Sequence, residues 1–539
     1  MTHLEELLPP MKWNAWGDPA AAKPLSDGIR SLLKQVVGLD DSDEVELEPD
    51  QVRLRPSALS QADHDALAEI VGAEYVRTAD RDRLLHAGGK STPDMLRRKD
   101  RGVQDAPDAV LLPGGPSGED TVAAILRYCS EHGIAIVPFG GGTNVTGGLD
   151  PTRGQFSAVV SLDLRRFNQL HSLDEVSGIA ELGAGVTGPE AERLLSEHGF
   201  SLGHFPQSFE YATIGGFAAT RSSGQDSAGY GRFNDMILGL RMITPVGIWD
   251  LGRVAASAAG PDLRQVAIGS EGTLGVITKV RLRVHRVPET TRYEAWSFPD
   301  FATGVAALRA ITQTGTGPTV VRLSDEAETG VNLATHETIG ENQSTGGCLG
   351  LTLFEGTKEH TESRHAETRA LLEAHGGKSL GEGPAQTWEH GRFSAPYLRD
   401  SLLAAGALCE TLETATDWSN IPTLKAAVTE ALTSSLAESG TPALVMCHVS
   451  HVYPTGASLY FTVVAGQRGN PIEQWFAAKK AASDAIMANG GTITHHHAVG
   501  SDHRPWMRDE VGDLGVQLLR AVKATLDPAG ILNPGKLIP

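Results

Sequence analysis

The chain has 539 residues, 40% of them apolar, with a mean hydropathy of −0.17 and a formal charge of −20. That length exceeds a single hydrophobic core and predicts roughly three units of about 150 residues each. The acidic balance excludes a surface built for nucleic acid or anionic membrane, because phosphates are repelled over most of the molecule and only local basic pockets remain.

The N-terminal text MTHLEELLPPMKWNAWGDP lacks a basic segment followed by an apolar one, and no apolar run approaches bilayer-spanning length. A cytoplasmic protein is expected, with peripheral membrane contact left open. Cys129, Cys348, Cys409 and Cys447 stand far apart without a CxxC pair, so neither a disulfide framework nor a zinc site is indicated.

Residues 1–106 read as an N-terminal helical region. Leu25 to Val37 and Ser57 to Ile70 carry apolar residues at helical spacing, with Ser60 as an N-cap. Arg81 to Arg101, which holds His86, Lys90, Arg97, Arg98, Lys99 and Arg101, reads for the most part as a solvated charge run. Residues 107–287 change to α/β punctuation. Strands are expected at Ala109–Leu112, Ile134–Pro138, Ala158–Leu162, Gly178–Val186, Met236–Thr244 and Lys279–Val287, with helices at Gly118–His132 and Pro189–His198.

The strand before Pro138 runs into Gly140-Gly141-Gly142-Thr143-Asn144-Val145-Thr146-Gly147-Gly148. Glycines without a Cβ let backbone N–H groups converge on an anion, for which a pyrophosphate is the natural guest and a plain turn the bland rival. Further glycine clusters follow at Pro206–Gly224 and Gly269–Ile277, each mixed with Ser, Thr or an acid. Together they suggest several loops approaching one large polar ligand. No G-x-G-x-x-G follows a first strand, which disfavours a Rossmann site.

Residues 288–500 shift to long helical stretches (Phe301–Thr312, Thr361–His375, Thr423–Ser439) between strand-like runs at Thr319–Leu323, Gly347–Phe354, Ala443–His448 and Ala457–Val464. This is an α+β unit with an antiparallel sheet. Residues 501–539 form a C-terminal segment with a helix over Trp506–Leu526 and the tail Leu532-Asn-Pro-Gly-Lys536.

Read as a set, the PFGGGT loop, GSEGTLGVIT from Gly269 and the closing LDPAGILNPGK resemble the vanillyl-alcohol oxidase (PCMH-type FAD-binding) flavoprotein family. KWNAWGDP from Lys12, GKSTPDMLRRKDRG from Gly89, SFEYATIGGFAATRSSG from Ser208, YLRD from Tyr397, SLYF from Ser458 and GGTITHHHAVG from Gly490 resemble its alkyldihydroxyacetonephosphate synthase branch. The likeness runs from Lys12 to the C-terminus. It implies an α+β, two-domain FAD-binding PCMH-type fold with an α+β substrate (cap) domain, and a homodimer.

The resemblance implies FAD contacts from Pro138, Phe139, Gly140, Gly141, Gly142, Thr143 and Asn144, and from Gln207, Ser208, Phe209, Glu210, Tyr211, Ala212 and Thr213. It adds Thr220, Arg221, Ser222 and Ser223, and then Glu271, Gly272, Thr273, Leu274, Gly275, Val276 and Ile277. Thr143 stands where covalently flavinylated relatives place a histidine, so noncovalent FAD is implied. Tyr460, His495, His496 and His497 match the branch's catalytic residues, and Arg399 and Arg322 its substrate-binding arginines. The implied reaction replaces the acyl chain of an acyl-dihydroxyacetone phosphate with a fatty alcohol, without net oxidation. Tyrosine and histidine suit proton exchange at an enolising carbon, and the arginine fork suits phosphate or carboxylate.

Two positions depart from the family's pattern. Ser419-Asn420 follow Trp418, and His448 follows Cys447, where the animal enzymes carry an acid and an arginine, and an arginine. These losses weaken the expected phosphate site and put the substrate, more than the cofactor, in question. An FAD-dependent oxidase or dehydrogenase of a hydroxy acid or alcohol is the alternative. No metal is expected, because on a strand only His495 and His497 share a face, with His448, His451 and His503 as partners. Trp13 and Trp16 read as packing anchors, and His86 and Lys90 as groups that either hold an N-terminal lid or touch ligand.

Overall fold

The computed structural model describes residues 11–22, 24–25, 27–39, 47–334 and 347–539. The first ten residues, and Ser26 of the first expected helix, lie outside them. Helix α1 (Asp27–Val37) is followed by α2 (Gln61–Val71), where the Ser60 hydroxyl accepts the Asp63 N–H as the sequence predicts, and by α3 (Thr92–Arg98).

Strands β1 (Val76–Arg77), β2 (Ala109–Leu111), β3 (Ile134–Phe139) and β4 (Ala158–Asp163) form a sheet in the order β1-β2-β4-β3, with β2, β4 and β3 parallel. Helix α4 (Gly118–His132) crosses between β2 and β3, so the glycine loop leaves a strand's carboxyl end, where ligands sit in α/β layers. The C-terminal tail returns to this sheet. Ile136 N–H donates to Ile531 O and accepts Asn533 N–H at its own carbonyl, at 2.9 and 2.8 Å.

A second, antiparallel sheet contains β5 (Leu170–Asp174), β6 (Ile179–Gly183), β7 (Ile237–Thr244), β8 (Gly247–Leu251) and β9 (Val276–Arg283), in the order β8-β7-β9-β6-β5. Strand β9 starts at Val276, three residues before the strand expected at Lys279. The end of the third glycine segment is therefore already sheet. Helices α5 (Gly188–Ser196) and α6 (Ile214–Thr220) pack onto it.

The third sheet has seven strands, all antiparallel: β10 (Thr290–Phe298), β11 (Val320–Ser324), β12 (Cys348–Gly356), β13 (Lys378–Gly381), β14 (Ala407–Asp417), β15 (Ala443–Val449) and β16 (Gly456–Gly466). They lie in the order β13-β10-β12-β11-β15-β16-β14. Helices α7 (Phe301–Thr314), α8 (Lys358–Ala374), α10 (Ile421–Glu438) and α11 (Pro471–Ala488) belong to this half, as does α9 (Ala395–Ala404), and α12 (Met507–Leu526) follows.

Side chains alternate across a strand, and this alternation divides the sheet's two faces between core and cavity. On β16, Leu459, Phe461 and Val463 join a core with α7, α10 and α11, while Tyr460, Thr462 and Val464 face a cavity. Helices α1 and α9 cover the cavity face through Leu33, Val37 and Leu402.

The basic run Arg81–Arg101 is only partly solvated. His86, Lys90 and Arg98 are buried because backbone carbonyls and carboxylates receive their N–H groups, whereas Arg97 is about half exposed. Phe461 is fully buried, so Phe461→Ala is expected to lower stability by about 3–5 kcal/mol in urea unfolding.

Candidate active site

The cavity, about 480 Å³, lies between the glycine loops and the seven-stranded sheet. Its first wall is backbone. A Cβ built on Gly141 would lie 2.0 Å from Tyr211 O, and one on Gly140 2.4 Å from Thr213 Oγ1. The loop after β3 and the loop before α6 therefore touch at a distance only glycine permits. Gln207 Nε2 is buried beside this wall and has no hydrogen-bond partner among the described residues.

The opposite wall is set by strand register. His448 on β15 pairs with Tyr460 on β16, which pairs with Glu413 on β14. The next rows on the same face are Met446, Thr462 and Thr411, then Leu444, Val464 and Cys409. Polarity thus falls along a single sheet face, from His448–Tyr460–Glu413 to an apolar end closed by Ile29, Leu33 and Leu402.

Tyr460 stacks between two imidazoles, His448 at 4.8 Å and His496 at 5.9 Å between ring centroids, with His497 edge-on at 5.6 Å. Burial pushes the Tyr460 phenol up, so it is protonated at neutral pH. Burial likewise pushes His495 down to about 3 and His496 well below the ordinary histidine range, so both are neutral.

Glu413, which sequence reasoning did not single out, holds this run in place. Its carboxylate accepts the backbone N–H of His495, of His496 at 3.1 Å and of His497 at 2.8 Å, and the Thr494 hydroxyl at 2.6 Å. Burial alone would raise its carboxyl; the histidine N–H groups and the Thr494 hydroxyl that it accepts hold it well below the usual carboxylate range. Residues 494–497 form no strand, which corrects the expected facing of His495 with His497. Ring nitrogens of His451, His495 and His496 converge within 4.8 Å instead.

Arg322 and Arg399 both line the cavity. Arg322 Nη2 donates to Glu328 at 2.6 Å and lies beside His448, while Arg399 donates to Asp400 at 2.8 Å and to Lys90 O. Lys90 Nζ donates to Lys12 O at 2.8 Å and Ala15 O at 2.6 Å, holding residues 12–18 across the cavity so that Trp16 forms part of its lining. Lys90 thus ties down the N-terminal segment and also lines the cavity. His86 does neither; it contacts buried Asp163 at 3.0 Å behind Phe139.

An FAD binding domain model matches residues 107–251, and a model of the FAD linked oxidases' C-terminal domain matches residues 287–537. Alkyldihydroxyacetonephosphate synthase of Trypanosoma brucei brucei is 32% identical over 98% of this chain and 92% of its own length. The chain belongs to the alkyldihydroxyacetonephosphate synthase family. The enzyme of the same name from Dictyostelium discoideum is 34% identical over 85% of this chain and 77% of its own length. A solved alkyldihydroxyacetonephosphate synthase superposes with a TM-score of 0.84 at 29% identity, covering 98% of this chain and 99% of that one.

The family's two-domain α+β fold is therefore that of this chain, and FAD is its cofactor. The residues present fit that group: the Gly140–Gly142 loop lines the cavity without side chains, and Gln207 in the same lining has a buried Nε2 with no hydrogen-bond partner among the described residues. Pro138 to Asn144, Gln207, Ser208, Ala212, Thr213, Thr220, Ser222, Ser223, Glu271, Gly272, Gly275 and Ile277 all line the cavity. The others do not. Phe209 stacks on Phe393, Tyr211 packs edge-on against Trp16, and Arg221 donates to Gln265. Glu210 also lies off the lining, Thr273 bonds back to Ser270 O, and Leu274 and Val276 are buried in the core. Glu271 turns its carboxylate to the Val499 and Gly500 amides, at 2.8 and 2.7 Å.

Of the two departures from the family pattern, His448 lies in the cavity but Asn420 does not, since it bonds Thr416 Oγ1 and Asn489 O. Gly141→Leu is expected to abolish flavin retention, read as the ratio of visible to protein absorbance after gel filtration. For His495, the unfolded chain binds a proton below its ordinary pKa that the folded chain takes up only near 3. Stability therefore falls as pH drops through that window, and His495→Gln should flatten the fall in melting temperature between about pH 6.5 and 4.

Proposed function

We propose that the protein is an FAD-dependent alkyldihydroxyacetonephosphate synthase, exchanging the acyl group of an acyl-dihydroxyacetone phosphate for a fatty alcohol without net oxidation. The observation that carries this reading is the continuity of one cavity, from the glycine loops past Arg322 and Arg399 to the apolar rows of β15 and β16. A polar head and a long chain are accommodated together, which a small hydroxy acid does not require.

Bound FAD supplies an electron-accepting ring that allows the exchange at the substrate carbon. The chain's own residues do the rest. Arg322 and Arg399 hold the phosphate or the departing carboxylate by their planar forks. Neutral His496 accepts the proton released next to the carbonyl, and protonated Tyr460 donates a hydrogen bond to developing negative charge on oxygen. His497 lines the cavity beside Tyr460 and shares its proton traffic. The apolar rows exclude water and receive first the acyl and then the alkyl chain.

In this reading residues 107–287 and 501–539 form the unit that holds FAD noncovalently, and residues 288–500 form the cap. Labelled hexadecanol is expected to enter palmitoyl-dihydroxyacetone phosphate. Tyr460→Phe should keep its flavin and lose about 10²-fold or more in turnover. Bleaching of the flavin on anaerobic mixing with 2-hydroxy acids would instead favour hydride transfer.

A further inference from the structure

Behind the cavity wall the histidine run continues into a chain of short contacts. Nδ1 of His496 and Nδ1 of His495 lie 2.9 Å apart, and Nε2 of His495 lies 2.6 Å from the Tyr453 hydroxyl. His496 lines the cavity, and its Nε2 makes no hydrogen bond among the described residues. His495 is buried and does not line the cavity. Tyr453 is half-buried, its hydroxyl also lies by the Ser223 side chain, and it is followed by exposed Pro454 and Thr455.

We propose that His495 and Tyr453 form a proton path that connects His496, and through it the substrate, to solvent. The inference rests on the exchange reading above, in which a proton leaves the substrate and the alcohol's proton must be disposed of. Neutral imidazoles permit two opposite arrangements of this chain, and outward transfer starts from the one with His496 protonated at Nδ1, and His495 protonated at Nε2 and accepting at Nδ1. A proton arriving at His496 Nε2 releases the Nδ1 proton to His495 Nδ1. The Nε2 proton of His495 then passes to the Tyr453 oxygen, and the Tyr453 hydroxyl proton passes to water. One N–H or O–H bond forms and one breaks at each station, and a single proton moves from cavity to solvent.

Glu413 fixes the geometry by holding all three histidine backbones, and its carboxylate stands 3.8 Å from His496 Nδ1, farther than the 2.9 Å to His495 Nδ1. His451 stacks on His495 at 5.0 Å but is engaged through Nδ1 with Ser227 at 2.7 Å and Ser223 at 3.2 Å, which places it beside the path.

Tyr453→Phe in the FAD-loaded enzyme removes only the terminal hydroxyl. Turnover in alkyl exchange is expected to fall about 100-fold at unchanged KM, flavin content and unfolding midpoint, with a larger solvent deuterium isotope effect and recovery on adding imidazole. Turnover within about twofold of wild type, or a loss that imidazole leaves untouched, overturns the path. Wild-type protein that exchanges no acyl for alkyl overturns the function reading instead. The path then still answers to neutron diffraction, where one proton between the two Nδ1 atoms and one between His495 Nε2 and the Tyr453 oxygen support it, and a contact between the two Nδ1 atoms that holds no proton overturns it.

Discussion

Two buried carboxylates from different parts of the molecule grip one irregular stretch of backbone. Glu413, on the seven-stranded sheet, takes the N–H groups of His495, His496 and His497, and Glu271, at the glycine loops, takes those of Val499 and Gly500. Residues 494–500 lie in neither helix nor strand, so these amides would otherwise be orphaned in the interior. Charge-assisted bonds to a carboxylate are stronger than neutral ones, and removing one partner leaves the other's desolvation uncompensated. Both halves of the cavity are therefore registered to a single segment, and the imidazoles sit where that segment places them.

The chemistry of the site follows from burial combined with that clamp. A carboxylate beside three histidines would normally draw protons onto them, yet Glu413 directs its oxygens at amides and a hydroxyl, and desolvation keeps the imidazoles neutral. Neutral histidines can accept a proton, and a buried neutral tyrosine can donate a hydrogen bond. The same sheet face that carries these groups turns apolar within two rows of residues, because Thr462 and Val464 follow Tyr460 at the two-residue period of a strand. The polar and the apolar ends of the cavity thus share a single strand.

The N-terminal segment completes the enclosure. Lys90 and Arg98 donate to the carbonyls of residues 12, 13 and 15, and Trp16 N–H reaches the Asp400 carboxylate next to Arg399. These carbonyls replace the water that burial takes from the two side chains. The strap also bonds through Asp18 N–H to the Tyr397 hydroxyl, which binds it to the helix that carries Arg399.

The order of α/β and α+β units and a glycine cradle for a large polar ligand were legible in the residues themselves, and the family resemblance of the motifs supplied FAD. Gly140 to Gly142 can tolerate a close backbone approach that no other residue can, and hydrophobic periodicity located α4, β3, β4 and the strands around Tyr460 to within a residue or two. Motifs of that kind are local, and local chemistry is written in order along the chain. Glu413, Tyr453 and the burial of Lys90 were not legible, because each acquires its role from a partner far away in sequence: Glu413 faces residues some eighty positions later, and Lys90 faces residues about seventy-five positions earlier. The facing of the histidine run was misjudged for the same reason. Alternation holds only for a hydrogen-bonded strand, and whether residues 494–497 pair with a strand or with a carboxylate is settled by what tertiary packing brings beside them.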